Sequence, residues 1–439
     1  MEHIAHYRKD LNADSLYSVL GTYFKGLEDP RSSVNRRISL SDILMSSFAL
    51  FSLKYPSLLQ FEKGFSLDEN LSSVYGVSRV PSDTCMRSVL DELDSAIFSP
   101  LYKRVLSVVQ GSKGLEAFSY LEDYYLLSVD GTGYFSSTKV HCPQCLEKRS
   151  KSGVVEYSHQ MLGACMVHPD LKEVLPLCPE PIIKQDGSTK NDCERNASKR
   201  LIAQIAKDHP TKRFIFVEDS LYGNAPHINL LESHRYKYII AVKEGDHKYL
   251  FEQVEHLREG GKLHCYQQQE QGLIHQFEYI NQIPLNASNE DLLVNLLVYK
   301  QIKNGQTKYF TWITNITLKE PWLLKIMRAG RARWKIENET FNTLKNQGYQ
   351  FEHNFGHGYK NLSVNLAMMM MLAFLIDQIQ QLCCKVFNEV WKKLGSKKLL
   401  WYEIRKKFED YIFDSMLQVY QIILNPLPKI RVSQLLDSS

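Results

Sequence analysis

The sequence predicts an α/β protein: a sheet flanked by helices, with a helical N-terminal domain, a β-rich insertion and a helical C-terminal tail. Three observations predict this. Up to about residue 115 the apolar residues recur at helical spacing, and from about residue 121 short apolar, β-rich runs alternate with helical segments. After a stretch of strand-like runs, long helical patterns return near residue 313.

In the first region Ser39 or Ser41 can cap a helix through DILMSSFALFSL. Pro81, Ser82 and Asp83 open a second, with Met86, Val89, Leu90 and Leu93 on one face. Arg79 and Arg87 lie nearby, so this segment reads either as part of a plain bundle or as a helix pair entering a DNA groove. YYLLSVDGTGYFSS is the first apolar strand, ending in turn chemistry. HQMLGACMVHP and KEVLPLCPEPI read as the next two strands, and CERNASKRLIAQIAKDHP as a helix that Pro210 follows. FIFVEDSLYG is a short buried strand stopping at an acid, HINLLESHR a helix and YKYIIAVKE a strand.

From about 245 to 310 the alternation breaks. HKYLFEQVEHL reads as a short helix, and LIHQFEYINQI, LLVNLLVYKQIK and TKYFTWITNI as strands. EPWLLKIMRAGRARWKIENETFNTLKNQ is helical with an expected break near Gly330, and NLSVNLAMMMMLAFLIDQIQQLCCKVFNEVWKKL is a second long helix. The expected division is 1–118, 119–244, 245–312, 313–388 and 389–439. The last segment is basic at Lys392, Lys393, Lys397, Lys398, Arg405, Lys406 and Lys407, either as a solvated helix face or as a phosphate contact.

A hydrophobic fraction of 44% and a charged fraction of 23% suit an ordinary soluble protein of 439 residues. The net charge of +4 neither favours nor disfavours a polyanion partner. The apolar run Leu366–Ile376 is shorter than the roughly 20 residues a bilayer span needs, and reads as a core helix with no membrane role. Nine unevenly spaced cysteines and an N-terminal stretch without an apolar signal region predict a cytosolic protein with reduced thiols.

Two acids stand at the ends of apolar strands: Asp130 before Gly131, and Asp219 after FIFVE. A strand-end Asp is ordinarily a turn residue. In open α/β sheets, however, that end is where ligands bind, and neighbouring strands bring such acids together. Glu337 falls on a helix one turn after Arg333, with Trp334, Ile336, Phe341 and Leu344 expected on its buried side; an exposed i,i+4 ion pair is the plain reading. Three carboxylates suit phosphoryl transfer, because paired divalent ions need hard oxygen ligands that leave room for phosphate and water.

SVDGTGYFSS, FVEDSLYGN and RARWKIENETFNTLKNQGYQFEHNFGHG, in this order, resemble the DDE transposases of bacterial insertion sequences, in the insertion-sequence-four group. The resemblance spans about residues 120–385. It implies a ribonuclease-H-like mixed sheet with a β-rich insertion before the Glu helix. It also implies an Asp130, Asp219 and Glu337 triad binding Mg²⁺, with Mn²⁺ able to substitute, and a nucleoid-associated cytoplasmic enzyme. The implied activity is DNA cleavage at transposon ends and strand transfer into a target. The implied partners are double-stranded DNA, both terminal inverted repeats and target, and a second copy of the chain. The group's signature of Tyr, Arg, Glu and Lys is matched at Arg333 and Glu337. Gly330 stands at the Tyr position and Leu344 at the Lys position, with Lys345 one residue on. Arg333 and Lys345 are the implied phosphate contacts; Glu339 is an alternative third acid. Rival readings are a non-catalytic DNA-binding derivative, a nuclease without strand transfer, and a zinc-dependent interaction module.

Other motifs stay open. Cys142 and Cys145 have metal-ligand spacing, followed by His159, Cys165 and His168 but by no second Cys pair. Structural zinc on Cys142, Cys145 and His159, a redox pair, and a loop with incidental thiols are the alternatives. Glu194 suits the start of its helix, with a place near metals as the second reading. Phe310 and Trp312 read as core or as a base-stacking pair. His353, His357 and Tyr359 read as a Gly-rich turn or as DNA neighbours.

Overall fold

Local structure starts where the capping chemistry puts it. Ser39 accepts from the Asp42 amide at 2.9 Å and Ser82 from the Cys85 amide at 3.2 Å, each satisfying an N–H that the first helical turn leaves orphaned. The computed structural model describes residues 11–32, 36–65, 69–184, 192–270 and 272–428. Its elements before the sheet are helices α1 (Ala13–Lys25), α2 (Leu40–Ser52), α3 (Leu58–Phe65), α4 (Glu69–Ser73), α5 (Asp83–Glu92) and α6 (Phe98–Gly111). Next come β1 (Ser119–Tyr120), β2 (Tyr124–Ser137), β3 (Leu146–Arg149), β4 (Val155–Val167), β5 (Leu175–Pro176) and β6 (Glu180–Ile182). Then follow α7 (Glu194–Asp208), β7 (Phe214–Glu218), α8 (Ala225–Ser233), β8 (Lys237–Ala241) and α9 (Lys248–Glu259). Strands β9 (His264–Glu270), β10 (Leu273–Asn286), β11 (Asn289–Lys303) and β12 (Gln306–Thr314) precede α10 (Glu320–Ala332). The chain closes with α11 (Asn342–Asn346), α12 (Leu362–Cys383), α13 (Lys385–Leu394), α14 (Lys397–Asp410) and α15 (Met416–Leu424).

Two units form. One contains the described residues of Met1–Ile97, Arg104–Gly114 and Thr343–Ser439; the other contains Phe98–Lys103 and Leu115–Asn342.

The first unit is helical. Helix α12 is long and apolar enough to cross a membrane, yet its apolar window is wholly buried, packed against α2 and α5. It is a core helix, and it ends at Cys384, so the single long helix expected from sequence is two. Asp91 at the end of α5 is nearly buried, and its carboxylate accepts from the amides of Tyr359, Lys360 and Leu362. It thus organises the Gly-rich turn that enters α12. Arg87 pairs with Asp83 one turn away, and Met86, Val89 and Leu90 are buried as their spacing predicts. Part of the basic C-terminal cluster is spent on packing. Arg405 donates to the carbonyls of Leu53 and Lys54, and Lys393 to those of Ile423 and Leu424.

Among the described residues the second unit is built on one mixed sheet of twelve strands, nine of them in the order β3-β4-β2-β7-β8-β12-β11-β10-β9, with β1 paired to β2 and both β5 and β6 to β4. Strand β2 runs antiparallel to β4 but parallel to β7, which is parallel to β8. The four strands after α9 do not stand apart. Strand β12 pairs with β8, so they extend the same sheet. Burial follows the order: β7 is buried at every residue, whereas β9, at the edge, is largely exposed and polar.

Candidate acidic site

Register brings the first two acids together. Ser128 of β2 lies beside Val217 of β7, and two residues further along these parallel neighbours come Asp130 and Asp219. Adjacent strands are about 4.8 Å apart and side chains two residues apart share a face, so the two carboxylates leave the sheet side by side. Each is oriented by the backbone. Asp130 Oδ1 accepts from the Gly131 amide at 2.9 Å, and Asp219 Oδ1 accepts from the Leu221 amide at 2.9 Å where the chain turns out of β7.

The third acid comes from the helical segment after α10. The sequence places its break near Gly330, but Gly330 lies inside α10 and the irregularity comes after it. Helix α10 ends at Ala332, Arg333 interrupts the hydrogen-bond pattern while its backbone stays helical, Trp334 and Lys335 resume the helix, and Ile336–Phe341 form a π-helical stretch. Such widened turns are uncommon and frequent at functional sites. Ser128 donates to the Arg333 carbonyl at 2.9 Å, tying this segment to β2. Gly163 of β4, paired with Asp130, faces the Phe341 ring, which a Cβ there would approach within 3.1 Å; its absence lets the π-helical stretch lie close on the sheet.

In this arrangement the Arg333 guanidinium stands between two acids, 3.1 Å from Asp130 Oδ2 and 2.9 Å from Glu337 Oε1. Burial pushes the Asp130 carboxyl up to about 7, aided by its hydrogen bond with Glu337 and the charges of Glu337 and Asp219, and opposed by Arg333. Glu337 is the more open, its side chain 37% exposed against 19% for Asp130.

A fourth carboxylate joins them. Glu194, at the start of α7, lies against Gly131, in the space a side chain there would occupy. Burial and the charge of Asp219 raise its carboxyl, while the Tyr222 hydroxyl, donating to it at 3.5 Å, opposes the shift. Its sequence signal, an acid at a helix start, is equally the signal of dipole compensation, and only the fold separates the two.

The other candidates fall elsewhere. Lys345 belongs to the helical unit, where it pairs with Glu352 at 2.8 Å, and Leu344, at the signature's Lys position, is fully buried. Trp334, expected on the buried side, is 51% exposed beside the Arg333 guanidinium, whereas Ile336 and Phe341 are buried. Trp312 is buried, stacked on Phe310, and covers Gly330. A Cβ on Gly330 would lie 2.6 Å from the indole, so the signature's Tyr has no room here. Gly330→Ala is accordingly expected to lower stability by about 1–3 kcal/mol in urea melts, as overpacking does. An unchanged midpoint would show that the indole yields without cost. Beside α10 a groove of about 730 Å³ is lined by Arg328, Arg331, Lys335 and Lys303, with Glu270 and His275.

The α/β fold with its mixed sheet is consistent with a ribonuclease-H-like transposase. Residues 157–375 match the family model described as the transposase DDE domain, and this match supports a DDE transposase. The matched span contains Glu194, Asp219, Arg333 and Glu337, while Asp130 precedes it. The domain suggests a DNA transposase function, and the family implies DNA binding and nuclease or transesterase chemistry with divalent metals. No curated protein matches this chain.

Proposed function

We propose that this chain is a cut-and-paste DNA transposase of the insertion-sequence-four type, acting in the bacterial cytoplasm as a dimer with one active site for each element end. The observation that carries the proposal is the meeting of Asp130 within β2, Asp219 just past the end of β7 and Glu337 on the π-helical turn, with Arg333 between Asp130 and Glu337. The donor set is all carboxylate oxygen, which fits Mg²⁺ or Mn²⁺ and suits softer ions poorly. When bound, such ions supply activation of the attacking oxygen and neutralisation of charge at the phosphorus. The protein's own part is placement. Asp130 and Asp219 are set by the β2–β7 register, Glu337 by the turn anchored to Ser128, and Glu194 adds a fourth oxygen donor at the rim. Arg333 offers a planar fork for a phosphate, and the basic side chains of α10 a track for the DNA backbone. Water attacks a phosphodiester at the element's end and leaves a 3′-hydroxyl and a 5′-phosphate; that 3′-hydroxyl then attacks a target phosphodiester, joining to its phosphorus and expelling the target strand's 3′-hydroxyl.

The test is incubation of the purified chain with Mg²⁺ or Mn²⁺, a DNA carrying the sequences that flank its own coding region, and a target plasmid. Joined products are expected. Binding without cutting would support a non-catalytic derivative, and cutting without joining a plain nuclease. Independently, divalent ion at about 100 times its dissociation constant is expected to stabilise the protein by about 2.7 kcal/mol. Thermal melts should show this for the parent and not for Asp219→Asn; equal shifts in both would place the ion elsewhere.

A further inference from the structure

We infer a second metal site, of a different kind, near the Ser137–Tyr157 end of the β2–β4 ladder: a structural zinc held by Cys142, Cys145 and His159. Cys142 and Cys145 lie in the connection from β2 to β3, and His159 lies on β4 opposite Phe135. Their ligand atoms all fall within 4.8 Å of one another. Cys142 Sγ is 3.9 Å from Cys145 Sγ and 3.4 Å from His159 Nε2. A tetrahedral zinc, with bonds of about 2.3 Å to sulfur and about 2.05 Å to nitrogen, separates two sulfurs by about 3.8 Å and sulfur from nitrogen by about 3.6 Å. The observed spacings thus surround a point where such an ion fits, whereas a disulfide needs its sulfurs at about 2.05 Å.

The surroundings suit a closed site. Cys145 and His159 are fully buried and Cys142 is 6% exposed. The Cys142 amide donates to Cys145 Sγ at 3.4 Å and the Cys145 amide to the Cys142 carbonyl at 3.1 Å, folding the Cys-x-x-Cys segment into a turn with both sulfurs on one side. Amide donation to a sulfur is the support a metal-bound thiolate uses. The imidazole is held between rings, stacked on Tyr134 and tilted against Phe135. The site is distinct from the acids, since His159 is four residues, about 14 Å along β4, from the Gly163 that pairs with Asp130. Sulfur and nitrogen donors select zinc where the carboxylates select magnesium. Binding releases the two thiol protons and leaves a fourth tetrahedral position for a nitrogen or oxygen donor. Such an ion would pin the β2–β3 connection to β4.

The test is metal analysis of the full chain purified without added metal and without chelator. About one zinc per chain is expected, close to none in Cys142→Ser/Cys145→Ser, and an unchanged amount in Asp219→Asn. If the cysteine variant does not fold, cobalt substitution of the unaltered chain decides, with an intense sulfur-to-cobalt charge-transfer band as the expected result. The inference is overturned by a chain that neither carries zinc nor shows that band. It is equally overturned by zinc that survives loss of both thiols in a folded variant, or by a Cys142–Cys145 disulfide in the fresh protein.

Discussion

Asp219→Asn, Asp130→Asn and Glu337→Gln are each expected to lower DNA cleavage by about a thousandfold or more, some 4 kcal/mol of barrier, without unfolding the protein. Each change removes one hard oxygen donor while leaving shape and hydrogen-bonding capacity nearly intact. For Asp130 the stability effect has the opposite sign to the activity effect. Its carboxyl is raised in the folded state from 3.8 to about 7, by burial first and by Glu337 next. Below pH 3.8 both folded and unfolded chains hold the proton and nothing is lost. Between 3.8 and about 7 the folded chain holds more protons than the unfolded one, so stability falls as pH rises; above about 7 the full cost is present. In metal-free buffer Asp130→Asn should therefore be more stable than the parent at about pH 8, by roughly 1–3 kcal/mol, with the gap closing near pH 4. Urea melts at the two pH values test this. A variant less stable than the parent at pH 8 would mean that Arg333, not crowding, governs Asp130.

The second large effect concerns the helical unit. Lys54 and Asp377 form an ion pair at 2.6 Å with both side chains almost wholly buried. Lys54 also donates to the Ser52 carbonyl at 2.9 Å, and its ammonium lies 4.4 Å from the Tyr349 ring centroid and 4.1 Å from that of Trp401. The Tyr349 hydroxyl donates to the same carboxylate oxygen. Burial alone pushes the Lys54 ammonium down and the Asp377 carboxyl up, and each group's charge is what opposes the shift of the other. Lys54→Met by itself should cost about 3–5 kcal/mol, because it strands a carboxylate in the core. Lys54→Met with Asp377→Leu should cost much less than the sum of the single changes. A full double-mutant cycle in urea checks it, and additive effects would mean that the two charges do not depend on each other.

What could be read in the sequence follows from how local each signal is. Ser39 and Ser82 announce their helices because a cap acts within three residues. Strands β2 and β7 announce themselves because buried strands are continuous apolar runs. Strand β9 does not: at the exposed edge its Tyr-Gln-Gln-Gln-Glu run needs no apolar face. Glu194, which the sequence leaves open, and Trp334, which the sequence puts inside but the structure exposes, are illegible for a different reason. Whether an acid at a helix start meets other acids depends on the empty space over Gly131, and whether an aromatic is inside depends on which face of an irregular helical stretch lies on the sheet. The packing of α12 on α2 joins segments more than three hundred residues apart, which no periodicity within either segment reports.

The parallel ladder between Tyr125–Ser128 and Phe214–Val217 acts as a ruler made of peptide groups. The gap between the first two acids is therefore dictated by main-chain geometry and tolerates wide exchange among the aliphatic neighbours that fill the interior. What it does not tolerate is sliding: a shift of one position along the rung pattern would turn one carboxylate to the far side of the sheet. Insertions or deletions within either strand should thus be far more damaging than any conservative replacement around them.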